Sequence, residues 1–292
     1  MRFGLNVSPS AAPGADPIER ARQAEDLGFD FISVNDHLHG VAPTFETWTL
    51  LTWIAAVTSR IQVATRVMGV PYRPPAVVAK MAETLDRLSG GRLILGLGGG
   101  ASNDEFRAFG LGQPTPGEKV QGLEEAIRIA RGLWSQPGFS LEGRRYRVER
   151  AELEPKPSRP IPIWVGTYGP RMLDLTGRLA DGWIPSYGYA PPEAVPAMRD
   201  RILGAATDAG RDPGQVELVY NVEVRVEDRP SGEHAEVAGT PEAVAGTLSG
   251  FVRLGFTGVN LFPVGPGLDE QAEILAREVI PAVRTETDVT VP

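Results

Sequence analysis

Three short stretches gather residue types that do chemistry. The run Asn35-Asp36-His37-Leu38-His39 sets two of the chain's three histidines two residues apart, beside a carboxylate. On a strand that spacing puts both imidazoles on one face, as half of a metal site would. The remaining histidine, His234, falls in the polar stretch PSGEHAEV, which reads as a loop, and the chain has no cysteine. Carboxylates would have to supply every further ligand, so the pattern points away from a metal hydrolase and no metal is expected. It favours His37 as a catalytic proton donor or acceptor, with Asp36 fixing its tautomer. The plainer reading, a histidine that only caps a strand end, stays open.

The second stretch is glycine-rich: RLILGLGGGASNDEF, residues 92–106. Gly96-x-Gly98-x-x-Ala101 imitates a dinucleotide fingerprint, but that motif belongs to a first βαβ unit with an acidic residue ending the next strand. Here it lies mid-chain before a helix and a hairpin, so the reading is rejected. Some of these glycines serve close packing of strand and helix. Gly98, Gly99 and Gly100, in sequence at a strand's carboxyl end, also strip one wall of a pocket of side chains, which suits a flat ring lying against backbone. The third stretch is VGTYGPR. Gly166, Thr167, Tyr168 and Gly169 precede a helix opened by Pro170, and the free N–H groups there form an anion site suited to phosphate. Arg171 is equally a helper or a solvated first-turn residue.

The elements that must carry these groups alternate strand and helix. RFGLNVS (2–8) is a strand. The next helix has Asp16 as N-cap, Pro17 at its first position and Glu19 as capping-box partner, with Gly28 ending it. DFISVNDH, RIQVATRVMGV, RLILGLG, PIWVG, WIPSY, VELVYNVEVRV and GVNLFPV supply seven further strands, each followed by an amphipathic stretch. Residues 138–160 break the rhythm and read as a hairpin around Glu142-Gly143, inserted between strands four and five. The expected fold is α/β, a (β/α)₈ TIM barrel forming one domain over residues 1–292, with an open doubly wound sheet as the alternative.

Composition bounds the partners. The chain has 292 residues, 42% of them hydrophobic, and a net charge of −8. That balance disfavours nucleic acid or an anionic membrane as partner. No run approaches the length of a membrane span, so a cytoplasmic protein acting on a small molecule is expected.

Taken in order, AEDLGFDFISVNDH, PPAVVAKMAETLDRLSGGRLILGLGGGASNDEFRAFGL and PIWVGTYGPRMLDLTGRLADGWIPS resemble the luciferase-like monooxygenase superfamily, in particular its oxidoreductases that use coenzyme F420. The resemblance runs nearly end to end. It implies a barrel that holds a flavin or deazaflavin at the carboxyl ends of its strands. Arg66-Val67 would be the bulge after strand three, often with a cis peptide, that presses on the central ring. Gly98, Gly99, Gly100 and Asn103 would line the ring and ribityl chain. Gly166, Thr167, Tyr168 and Gly169 would hold the phosphate, and Asp36-His37 would face the reacting face of the ring. One departure is that Ala101-Ser102 stand where the sugar-phosphate dehydrogenases of this family carry a carboxylate acid, which counts against that reaction.

The reading is therefore an oxidoreductase that passes a hydride between coenzyme F420 and an organic, apolar or aromatic substrate. Met68, Tyr72, Phe45, Trp48 and Tyr187 are expected near the mouth. The alternatives are an FMN-dependent two-component monooxygenase of the same fold, or a non-catalytic cofactor-binding homologue. The family also implies a homodimer.

Overall fold

A computed structural model describes residues 1–100, 102–228 and 235–288. Eight strands run parallel: β1 (Arg2–Asn6), β2 (Phe31–Val34), β3 (Gln62–Thr65), β4 (Leu93–Gly98), β5 (Ile163–Val165), β6 (Gly182–Trp183), β7 (Glu217–Val226) and β8 (Gly258–Pro263). Each pairs with the next, and β8 pairs with β1, with Arg2 opposite Gly258 and Leu5 opposite Leu261. The sheet is closed, because β7 pairs with both β6 and β8. The alternative of an open sheet is thereby excluded. β6 makes only Gly182–Glu217 and Trp183–Leu218 pairs with β7, and a further bridge joins Ser186 to Asn221.

Local chemistry sets the helices. The Asp16 carboxylate accepts from Ile18 N at 3.1 Å and Glu19 N at 2.9 Å, opening the helix Pro17–Asp26. Glu19 pairs with Arg22 at 3.6 Å rather than reaching back to the cap. A complete capping box forms instead at Thr115 and Glu118, and starts the helix Pro116–Ser135. That helix buries Leu123, Ala126, Ile127 and Ala130. A short helix, Asn103–Ala108, was not expected from periodicity.

The hairpin insertion is present as Phe139–Glu142 paired antiparallel with Arg147–Ala151. The carboxylate of Glu125 ties its turn to the neighbouring helix, accepting from Arg144 N at 2.7 Å, Arg145 N at 3.0 Å and Tyr146 N at 2.8 Å. No helix among the described residues is long and apolar enough to cross a membrane.

The barrel interior divides by height. Its lower part is apolar, built from Phe31, Ala64, Ile94, Trp164, Ile184 and Val219, with Val67 against them. Phe31 meets Trp164 edge-on at 5.3 Å. Above them runs a polar arc. Ser33 Oγ donates to Asn260 Oδ1 at 3.0 Å, Asn260 Nδ2 to Asn221 Oδ1 at 2.7 Å, and Asn221 Nδ2 to Ser186 Oγ at 3.0 Å. At the other end of the barrel Arg2 lies over the Phe31 and Trp164 rings and pairs with Glu217 at 3.0 Å, so the apolar layer is bounded by polar groups on both sides.

At the opposite end, buried Arg92 gathers orphan carbonyls from two helix ends. Nε donates to Ser89 O at 2.7 Å and Nη2 to Ala55 O at 2.6 Å and Thr58 O at 3.1 Å. Nη1 donates to Ile61 O and Thr58 Oγ1, both at 3.0 Å. Arg92→Met removes all of these donors without emptying the space. It is expected to lower stability by about 2–4 kcal/mol in urea unfolding, since buried carbonyls lose their partners. An unchanged midpoint would mean that water replaces the guanidinium.

Candidate active site

At the carboxyl ends of the strands lies a cavity of about 550 Å³. Asp36, His37, Arg66, Val67, Gly98, Gly99, Gly100, Gly166, Thr167, Tyr168 and Gly169 all border it. Residues far apart in the chain converge there because β2, β3, β4 and β5 are neighbours in the sheet. Asn103 is not among them; it stands exposed at the first position of its short helix. Lys119, Tyr72, Met172, Ile184, Ser186 and Tyr189 complete the wall.

β3 stops at Thr65, and pairing resumes at Met68–Gly69 against the end of β4. Between them the Arg66–Val67 peptide is cis. Val67 points back over the glycines, and a Cβ at Gly98 would lie 2.7 Å from Val67 Cγ2. Gly100 has φ +85°, and a Cβ there would come within 2.1 Å of the Phe106 ring. The glycines therefore let Val67 and Phe106 pack directly on the strand-end backbone, and the cavity opens beside them, bordered by Gly98, Gly99, Gly100 and Gly166.

At the other end of the cavity, the helix Pro170–Leu179 begins after Gly169, which offers no side-chain cap. Thr167 is buried, with its hydroxyl against Thr176 Oγ1 at 2.8 Å and its carbonyl accepting from Trp183 Nε1 at 2.9 Å. Its side chain is committed to the scaffold, and its backbone is what it presents to a ligand. The Tyr168 hydroxyl accepts from Ser186 N at 3.1 Å, and its ring lies 5.1 Å from that of Tyr189. Glycines on the cavity wall, an uncapped helix start and a volume of about 550 Å³ fit a flavin or deazaflavin with a phosphate-bearing tail.

The acid–base groups differ from the expected arrangement. Asp36 does not orient His37. Its carboxylate is buried and forms a bidentate pair with Arg73 at 2.9 and 3.0 Å, and accepts from Gly69 N at 3.1 Å. Arg73 also pairs with Glu46. The reason is reach: the chain turns back at Val70–Tyr72 and brings a guanidinium onto Asp36 from behind the cavity wall. His37 Nδ1 instead meets Glu105 Oε1 at 2.8 Å, and Tyr72 OH bonds the other oxygen of the same carboxylate. Burial first, and the bond to Glu105 second, push the Tyr72 phenol above its usual range.

Glu105 carried a signal that periodicity could not weigh. Ser102-x-x-Glu105 has capping-box spacing, and Ser102 does cap the helix through Asp104 N at 3.2 Å. The glutamate, however, serves the histidine. His39 stands exposed with its ring 6.4 Å from Phe109. His234 lies outside the described residues, as does Ala101. Of the aromatic and sulfur side chains expected near the mouth, Tyr72 borders the cavity. Met68 is buried beneath it, Phe45 is exposed, and Trp48 lies in a groove between helices. Tyr187 stacks on Tyr220 at 5.7 Å.

Arg66 crosses the mouth. Its Nε donates to Asn6 Oδ1 at 2.9 Å and its Cζ lies 5.5 Å from the Phe262 ring centroid. Burial lowers its pKa to about 10, opposed by the nearby Tyr168, Glu223 and Glu236. The only surface it keeps is the cavity's own.

Known proteins share this construction. An F420-dependent glucose-6-phosphate dehydrogenase of Kineococcus radiotolerans is 33% identical over 242 residues, covering 79% of this chain and 70% of that protein. The enzyme of the same name from Nakamurella multipartita is 32% identical over 235 residues, 77% of this chain and 67% of its own. Among solved structures, an F420-dependent secondary alcohol dehydrogenase in complex with an F420-acetone adduct superposes with a TM-score of 0.87. It is 22% identical and covers 97% of this chain and 99% of its own. The oxygenating constituent of 3,6-diketocamphane monooxygenase from Pseudomonas putida, in complex with FMN, gives a TM-score of 0.76 at 16% identity, with 96% and 98% covered. These two likenesses show the barrel. The model of the luciferase-like monooxygenase family matches residues 1–240, which take in every residue of the cavity wall. With that match and relatives a third identical over most of its length, the chain belongs to the luciferase-like monooxygenase family.

Proposed function

We propose that this protein is an F420-dependent oxidoreductase that exchanges a hydride with an organic substrate in the cavity, His37 moving the accompanying proton. The observation that carries the reading is the His37–Glu105 bond at the rim of the glycine wall. Bound along that wall, F420 supplies the hydride acceptor or donor. Gly98, Gly99, Gly100 and Val67 would border its ring, and the Gly166–Gly169 turn would take its phosphate.

The residues supply the proton chemistry. With the Glu105 carboxylate accepting from Nδ1–H, the neutral imidazole carries its lone pair on Nε2; the tautomer is assigned from this network. In the oxidising direction Nε2 takes the hydroxyl proton as the C–H electron pair leaves with the hydride. The imidazolium so formed faces Glu105, which stabilises it. In the reducing direction the same imidazolium returns the proton to the new alkoxide.

Val67, Met172, Ile184, Tyr168 and Tyr189 give the wall an apolar and aromatic character, which supports a substrate with a hydrocarbon body. Glucose 6-phosphate is the second reading, favoured by the names of the relatives. Against it stands Ala101 at the position where the family's sugar-phosphate enzymes carry their acid.

Titration of the purified protein with F420 and with FMN, followed by ring absorbance and fluorescence, is expected to show saturable binding of F420 and much weaker binding of FMN. The reverse order would favour the monooxygenase alternative, and binding of neither the non-catalytic one. His37→Ala is expected to lower turnover about 10²- to 10⁴-fold with F420 affinity nearly unchanged, and Glu105→Gln to lower it less. Equal turnover of His37→Ala and the parent would remove the proton-transfer role.

A homodimer is part of the same proposal. Val77 and Leu88 on the helix Pro75–Leu88, and Trp53 on Thr47–Val57, stand exposed beside an apolar groove lined by Trp48, Met81 and Leu85. A second copy would cover them. Light scattering is expected to give twice the chain mass for the parent and the single mass for Val77→Glu/Leu88→Glu; a monomeric parent would end this part of the reading.

A further inference from the structure

Arg66 and Arg92 are both enclosed guanidinium groups, yet they are used differently. Arg92 spends its donors on scaffold oxygens, with all three nitrogens bonded. Arg66 makes one hydrogen bond, from Nε to Asn6, and its two Nη groups have no hydrogen-bond partner in the structure. Glu223 and Glu236 are near enough to favour the charge, but neither forms an ion pair with it within 4.0 Å. A guanidinium that borders the cavity with both Nη groups unbonded can offer them to an anion.

Further donors sit beside it. Asn6 Nδ2 is buried with no partner. Turning that amide over would set its NH₂ against Arg66 Nε–H, so the bond from Arg66 fixes which atom is orphaned. Ser186 Oγ borders the cavity and accepts from Asn221 Nδ2 at 3.0 Å, which leaves its own proton to donate. The apolar side chains Val67 and Ile184 border the cavity alongside Arg66.

Resting on the reading of the cavity as a hydride-transfer site, we propose that Arg66 recognises a carboxylate on the substrate, so that the enzyme acts on organic acids. The planar fork of a guanidinium matches the two oxygens of a carboxylate. A lone ketone or hydroxyl oxygen would leave one Nη unpaired. A phosphate dianion would meet Glu223 and Glu236 with twice the charge of a carboxylate, which disfavours it. The hydrocarbon part of the acid would lie on Val67 and Ile184.

The test measures equilibrium binding of matched pairs, 3-phenylpropanoate with 3-phenylpropanamide and hexanoate with hexanamide, by titration calorimetry on protein saturated with F420. In the parent each acid is expected to bind at least about tenfold more tightly than its amide, the effect of one charge-assisted pair. Arg66→Gln should abolish that preference and Arg66→Lys should keep part of it. Melting temperature should stay close to that of the parent in both, and each variant is titrated at an F420 concentration that saturates it. The inference fails if the parent shows no preference, if neither acid binds, or if the preference survives in Arg66→Gln. Glucose 6-phosphate binding more tightly than both acids, and losing that advantage in Arg66→Gln, would overturn the choice of carboxylate. A parent that binds no F420 refutes the cofactor reading by itself; repeating the pairs on that protein still decides the role of Arg66.

Discussion

β3 and β4 are joined at the floor of the cavity by Thr65 and Gly96, and the residues that follow them form its wall. Thr65 Oγ1 donates to Gly96 O at 2.7 Å and accepts from Gly96 N at 2.8 Å, so one hydroxyl stitches two strands where their regular ladder ends. A Cβ on Gly96 would lie 1.9 Å from Thr65 O. Only glycine lets the strands come this near. Immediately beyond the stitch β3 breaks, Val67 turns onto the glycine wall and Arg66 reaches across the mouth.

The interior is layered so that polarity rises toward the site. Phe31, Trp164, Ile94 and Val219 fill the lower barrel as hydrocarbon. The Ser33–Asn260–Asn221–Ser186 arc floors the cavity with groups that satisfy one another. Packing below holds the strands rigid, and a saturated polar floor resists rearrangement when a ligand enters. The candidate acid–base pair is then carried by short segments just past the strand ends, where β2 delivers His37 and the helix Asn103–Ala108 delivers Glu105.

Much of this was legible in the amino-acid order, because helix caps and apolar periodicity are local properties. Eight strands and the hairpin follow from them, and so do the strand-end positions of Asp36, His37, Gly98–Gly100 and Gly166–Gly169, which border the cavity. Arg66-Val67 came from the family resemblance, Asn103 lies away from the wall, and Lys119, Met172, Ile184 and Tyr189 were not read. What escaped was set by contacts between distant segments. Asp36 and His37 are adjacent in sequence, but Arg73 is drawn onto the first and Glu105 onto the second, and neither pairing has a fixed spacing to read. The Asn103–Ala108 helix is too short for periodicity to show. Met68, Trp48 and Tyr187 were expected near the mouth on residue type alone, but the direction of a side chain depends on packing that no single stretch specifies.

The His37–Glu105 pair also bears on how protons enter and leave. The imidazole side chain is 51% exposed, whereas that of Glu105 is 10% exposed. The carboxylate is therefore sheltered enough to keep its partner's ring in place, while the ring itself touches bulk water. Any proton exchanged at the ring therefore passes directly to or from solvent rather than through a buried relay.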